Sequence, residues 1–130
     1  VATRDARFRL GPGQGTDSVH KTEEWAYATA LLQADAVHFV QADTTRIGGV
    51  SEYITISLLA REFGKPVVPH VGDMGQIHQH LVLFNRVALG HEEVFLEYIP
   101  HLRDHFIEPA HVEDGRYLVP TAPGSSSDLR

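Results

Sequence analysis

Three ionisable residues, Asp43, His70 and Glu97, recur at intervals of 27 residues, and each closes a short apolar run. The runs are Ala36 to Ala42, Pro66 to Pro69 and Val94-Phe95-Leu96. They are short and rich in Val and Phe, which suits buried strands better than helices. Segments of helical character lie between them. One opens at Ser51, carries Ile54, Leu58, Leu59 and Phe63, and is closed by Gly64, a residue type that stops helices just past their last turn. Another runs from about Gln76 to Leu89. Upstream, Thr22 is a candidate N-cap with Glu23 and Glu24 in the first turn, where the helix dipole favours acids. That helix extends to about Gln33, with Trp25, Ala28 or Thr29, and Leu32 near one face. Strands separated by helices make βα units and a parallel sheet. A constant interval brings the chain back to the same end of the sheet at each turn. Asp43, His70 and Glu97 are therefore expected on one rim, and in a (β/α) barrel the C-terminal rim is where catalytic groups gather.

A complete barrel needs about 250 residues, and this chain has 130. The pattern thus predicts an α/β fold that is only part of a (β/α) barrel, about three βα units with parallel strands. Residues 1–21 contain Gly11-Pro12-Gly13-Gln14-Gly15 and are expected to be irregular; residues 22–119 form the partial barrel; residues 120–130 read as an extended, mobile tail. There is no cysteine, which excludes disulfides and thiolate metal sites and suits a cytoplasmic setting. The formal charge of −6 opposes nucleic-acid binding, which needs a basic surface. No apolar run approaches the roughly 18 residues of a membrane span. Val1-Ala2-Thr3-Arg4-Asp5 has neither an initiating Met nor the layout of a signal peptide, as expected of a chain that begins inside a longer reading frame. Nine histidines direct attention to metal or acid–base chemistry.

The wording around the three residues is specific. Gln41-Ala42-Asp43-Thr44-Thr45-Arg46-Ile47-Gly48-Gly49-Val50 resembles the sixth-strand motif of the mandelate racemase subgroup of the enolase superfamily. Pro66-Val67-Val68-Pro69-His70-Val71-Gly72 resembles that subgroup's seventh-strand motif, and Phe95-Leu96-Glu97 its eighth. Glu113-Asp114-Gly115-Arg116-Tyr117-Leu118-Val119-Pro120, followed by Pro123-Gly124, is similar to the segment that returns toward the capping domain. The resemblance runs from roughly residue 30 to residue 125, and within the subgroup it is nearest to acid-sugar dehydratases of the fuconate or rhamnonate type. It implies the last βα units of a modified (β/α)₇β barrel. The implied reaction removes the proton next to a carboxylate and expels the β-hydroxyl, with Mg²⁺ neutralising the developing charge. On this resemblance His70 stands for the general acid/base. Asp43 stands for the carboxylate that fixes its tautomer, and Glu97 for the acid that hydrogen-bonds a substrate carboxylate oxygen. The implied partners are a sugar-acid substrate and further copies of the same chain.

The chain also departs from the family. The lysine of the second strand and the metal ligands of the third and fourth have no counterpart, and Arg4-Asp5 stands where a Gly-Glu pair usually carries the fifth-strand ligand. The position 27 residues before Asp43 is Thr16, which makes Asp17 the candidate for the remaining Mg²⁺ ligand, with Asp5 and His20 as competitors. One carboxylate does not hold Mg²⁺ tightly, so the chain alone is expected to be incomplete as a catalyst. The alternatives are a racemase or cycloisomerase of the same superfamily, or a non-catalytic half-barrel that associates with itself. His78 and His80 point about 200° apart on a helix and are expected in structural or rim positions. Asp73 and Met74, in the loop after His70, are candidates for substrate choice. His101 and His105 are expected on one packed helical face.

Overall fold

The structure, a computed structural model, describes residues 24–70, 75–92 and 95–130. The Gly-rich segment 1–21 with Asp5, Asp17 and His20, the proposed cap Thr22, and Asp73 and Met74 lie outside the described residues.

Three helices appear where helical patterning was expected: α1 (Glu24–Gln33), α2 (Val50–Glu62) and α3 (Ile77–Ala88). On α1, Ala28 and Leu32 are buried while Trp25 is 56% exposed. On α2 the buried residues are Tyr53, Ile56, Ser57 and Ala60, an i, i+3, i+4, i+7 set. This corrects the face expected from Ile54, Leu58, Leu59 and Phe63, for Leu58 is 45% and Phe63 39% exposed. Bulk was a poor guide here. The inward face combines the large Tyr53 and Ile56 with the small Ser57 and Ala60, which lets large and small side chains interdigitate where α1 packs against it.

The ends of α2 are specified locally. Gly49 precedes it at φ +91°, ψ −160°, a region that is essentially reserved for glycine. The Glu52 carboxylate accepts the Gly48 N–H through one oxygen and, through the other, the Trp25 N–H at the start of α1. At the C-terminus Gly64, at φ +65°, donates to the Arg61 carbonyl, and Lys65 donates to that of Ala60. That paired arrangement is a Schellman ending.

The apolar runs pair in parallel, over fewer residues than the expected strands. Val40 N–H donates to the Pro66 carbonyl at 2.9 Å, Val68 N–H to that of Val40 at 2.9 Å, and His70 N–H to that of Ala42 at 3.2 Å. Val40 and Val67 thereby form a parallel bridge. A longer bond of 3.5 Å runs from Glu97 N–H to the Pro69 carbonyl. Ala28, Leu32, Val37, Val40, Ala42, Tyr53, Ile56, Ala60, Val67 and Leu81 form one core cluster, which packs α1, α2 and α3 around this pairing. Within it the Tyr53 hydroxyl accepts the Asn85 side-chain N–H at 3.1 Å and links α2 to α3.

A 3₁₀ helix, Pro100–His105, follows. His101 and His105 are both exposed on it, not packed as expected, because this short 3₁₀ helix buries none of its residues. The hairpin β1 (Val112–Glu113) and β2 (Arg116–Tyr117) pairs antiparallel across Asp114-Gly115. Residues 120–130 are extended but tied down. Ile107 N–H donates to Asp128, Arg130 N–H to His105 and Gln76 N–H to Ser125, each at a carbonyl, and Arg130 Nε donates to the Phe106 carbonyl. No helix among the described residues is long and apolar enough to cross a membrane.

Candidate active site

The parallel pairing sets the level of the three ionisable residues. Asp43 lies three residues beyond Val40, and His70 three beyond Val67, so the bridge carries both side chains to adjacent positions at one end of the paired segments. The bond from Glu97 N–H to Pro69 puts Glu97 beside His70 in the same register. The side chains meet accordingly. Asp43 Oδ2 lies 3.0 Å from His70 Nδ1, and His70 Nε2 lies 3.5 Å from Glu97 Oε2.

Asp43 also serves its own loop. Its Oδ1 accepts the Thr45 N–H at 2.9 Å and the Thr45 hydroxyl at 2.6 Å, an Asx turn that starts the bend after the strand segment. Its main-chain carbonyl accepts Arg46 and Ile47 N–H, and Arg46 Nε reaches Oδ2 at 3.2 Å. Turn residue and dyad carboxylate are thus one residue, with the work divided between its two oxygens.

A residue that sequence reasoning had set aside completes the surroundings. His78, in the first turn of α3 and 1% exposed, brings Nε2 to 3.1 Å from Asp43 Oδ1. The same nitrogen lies 3.0 Å from the Thr44 hydroxyl and 3.2 Å from the Thr44 N–H. The opposed directions of His78 and His80 on a helix argue against a shared ion. They say nothing of whether one of the two reaches a third residue across the fold, and no sequence spacing encodes that.

Burial alone would push the Asp43 carboxyl up. Hydrogen bonds from His78, from the Thr45 hydroxyl and N–H and from His70 outweigh it and hold the group well below the usual carboxylate range. Asp43 is 2% exposed and ionised, a fixed negative charge next to the imidazole. With that charge on Nδ1, the favoured neutral form of His70 carries its proton there and directs the Nε2 lone pair toward Glu97. Glu97 is steadied from behind, since the Tyr117 hydroxyl donates to its main-chain carbonyl at 2.6 Å. Burial, with Tyr98 and Glu97 adding to it, pushes the Tyr117 phenol up to about 12.

The described residues do not fit a Mg²⁺ site. No three His, Asp or Glu side chains gather among them as a ligand set, and both oxygens of Asp43 face N–H or O–H donors. Asp17, the candidate ligand, lies outside the described residues. A groove of ≈ 840 Å³ between α3 and the hairpin, lined by Val82, Leu83, Leu96, Leu118 and Val119 among others, includes none of Asp43, His70, His78 and Glu97. It is mainly apolar space.

Residues 20–130 match the enolase C-terminal domain-like family. L-galactonate dehydratase of Hypocrea jecorina is 33% identical over 131 residues, covering 99% of this chain and 29% of that protein. Human mitochondrial enolase superfamily member 1 is 36% identical over 104 residues, 77% of this chain and 24% of that one. Its crystal structure aligns with a TM-score of 0.70 at 33% identity over 80% of this chain. The crystal structure of L-talarate dehydratase from Polaromonas sp. JS666, complexed with Mg and L-glucarate, aligns with a TM-score of 0.66 at 30% identity, covering 82% of this chain and 26% of that one. The chain spans between 24% and 29% of the length of these relatives.

Proposed function

Since the chain belongs to the enolase C-terminal domain-like family, with the TIM-barrel-like fold of its solved relatives, we propose that it is the acid–base portion of an acid-sugar dehydratase barrel, comprising the last three or so βα units. His70 is the general acid/base and Asp43 its partner carboxylate. The observation that carries this is the 3.0 Å contact between His70 Nδ1 and a buried, ionised Asp43. Relatives of dehydratase function, including an L-talarate dehydratase complexed with Mg and L-glucarate, give the substrate class, a sugar acid.

This geometry supports a role in the second half of such an elimination. When the proton next to the carboxylate has left, its electron pair forms the new C=C bond and the β C–O bond breaks. The departing hydroxyl must take up a proton to leave as water. His70 in its imidazolium form donates that proton from Nε2, and Asp43 at Nδ1 stabilises the charged ring until it does. Glu97, beside Nε2, is placed to hydrogen-bond a carboxylate oxygen of the substrate, for which it must itself carry a proton. No step is assigned to Mg²⁺, because the described residues do not gather its ligands.

The test is a chimera in which residues 24–130 replace the corresponding segment of a related dehydratase. We expect dehydration of its sugar acid, abolished by His70→Asn and by Asp43→Asn. A folded chimera whose His70→Asn variant still turns over would refute the assignment. The chain alone is expected to show no metal-dependent α-deprotonation.

A further inference from the structure

Resting on the assignment of His70 and Asp43 as the acid–base pair, we propose that His78 is a positioning residue of that pair: its Nε2–H holds Oδ1 of Asp43 and leaves Oδ2 turned toward His70. His78 comes from a different element, the first turn of α3.

The argument turns on one hydrogen. Nε2 of His78 has three polar neighbours: Asp43 Oδ1 at 3.1 Å, Thr44 Oγ1 at 3.0 Å and Thr44 N at 3.2 Å. A neutral imidazole has either a proton or a lone pair there. With the proton on Nδ1, Nε2 accepts from Thr44. The Nδ1–H is then buried with no partner among the described residues, and a lone pair faces an ionised carboxylate oxygen. With the proton on Nε2, it is donated to a charged acceptor; the Nδ1 lone pair is then unmet, and the Thr44 N–H, which points at Nε2, gives up that acceptor. Each form leaves one donor unmet, Nδ1–H in the first and the Thr44 N–H in the second, so the choice rests on the acceptor gained, and hydrogen bonds to charged groups are the stronger kind. The carboxylate decides in favour of Nε2–H.

The consequence concerns where Asp43 is held. Thr45 binds Oδ1 from two residues along the same loop, which fixes the carboxylate only relative to that loop. His78 ties the carboxylate to α3, on the far side of the site. The groups facing Asp43 are His70 from the next strand segment, His78 from α3, Arg46 and Thr45 from its own loop, with Glu97 beyond His70. Thr45 and His78 hold Oδ1, while His70 and the half-exposed Arg46 share Oδ2.

The test uses the whole chain with ¹⁵N-labelled histidine and ¹³C-labelled aspartate. Near neutral pH the ring nitrogens of His78 should report the Nε2–H form; an Nδ1–H form would overturn the proposal. His78→Leu should move the acid titration of the Asp43 carboxyl up by about one pH unit, roughly tenfold in proton affinity, the loss of one charge-assisted donor. His78→Gln, whose amide N–H takes the place of Nε2–H, should titrate close to the parent. Leu and Gln variants that titrate alike would overturn the proposal, and should Leu prevent folding, the Gln variant and the parent tautomer decide. The same spectra separate the two readings. His70 found as Nε2–H sinks the acid–base assignment and this role with it, whereas His70 as Nδ1–H beside His78 as Nδ1–H sinks only the role of His78.

Discussion

Replacing Asp43 by Asn removes one charge and almost no volume, so it isolates the electrostatics of the site. Asn keeps an oxygen for the Thr45 N–H and hydroxyl, and the Asx turn survives. The amide –NH₂ then occupies the place of Oδ2, facing Nδ1 of His70 at 3.0 Å and Nε of Arg46 at 3.2 Å. Donor meets donor. His70 relieves this by moving its proton to Nε2, which costs the charge-assisted bond, about 1.5–3 kcal/mol. The Arg46 contribution is small, because its side chain is half exposed and such pairs give about 0–1 kcal/mol. The bond from His78 becomes a bond to a neutral oxygen. We expect Asp43→Asn to lose about 3 kcal/mol at pH 7, a large share of a stability of about 5–15 kcal/mol. The pH dependence supplies the decisive reading. The folded state holds the Asp43 carboxyl below its ordinary value of 3.8, so its contribution is complete above that value and is lost as the pH falls below it. In urea unfolding curves the gap between parent and variant should therefore be full at pH 7 and pH 5 and narrow below about pH 4. A gap that persists unchanged at pH 3 would refute the charge as its origin.

Gly49→Ala should destabilise the chain by about 1–3 kcal/mol, measured by chemical denaturation. A Cβ there meets no atom within 4 Å, and the whole cost arises from forcing φ +91° on an alanine. Tyr117→Phe should cost about 0.5–1.5 kcal/mol through the lost bond to the Glu97 carbonyl. Because the folded-state phenol is raised from 10.0 to about 12, the parent's contribution from this group is intact below pH 10 and lost as the pH rises through that window; thermal melts of the Phe variant should lack that alkaline loss. Burial holds His91 below its ordinary 6.5, so the parent should lose stability as the pH falls beneath that value, and His91→Gln should flatten this part of the stability–pH curve.

What the sequence made legible was whatever local chemistry determines. Helix patterning and Gly64 set α2 to within a residue or two, since a Schellman ending is written in the six residues that make it. The 27-residue interval located Asp43, His70 and Glu97 on one rim because parallel pairing turns an equal interval into an equal level. Less was legible where neighbours decide. The inward face of α2 was misjudged because Ser57 and Ala60 are buried for their small size, which hydropathy does not reward. His101 and His105 were given an α-helical spacing in what is a 3₁₀ turn, a difference of one hydrogen-bond step. His78 was invisible as a site residue, because its approach to Asp43 depends on where α3 docks over the paired segments. That angle is a property of the packed core and not of any motif.

The same distinction bears on how the described residues bring Asp43 and His70 together. Contacts among the described residues already bring the pair together. Register comes from the backbone bonds among Val40, Ala42, Pro66, Val68 and His70, carboxylate orientation from Thr45 and His78, and the placement of Glu97 from Pro69 and Tyr117. Metal coordination is the opposite kind of function, because carboxylates from several strands must converge on one point, and the described residues bring no such set together. The two halves of the chemistry thus differ in how far along the chain their parts are spread. The proposed proton transfer at Nε2 of His70 draws the parts named above from one contiguous stretch, Val40 to Tyr117.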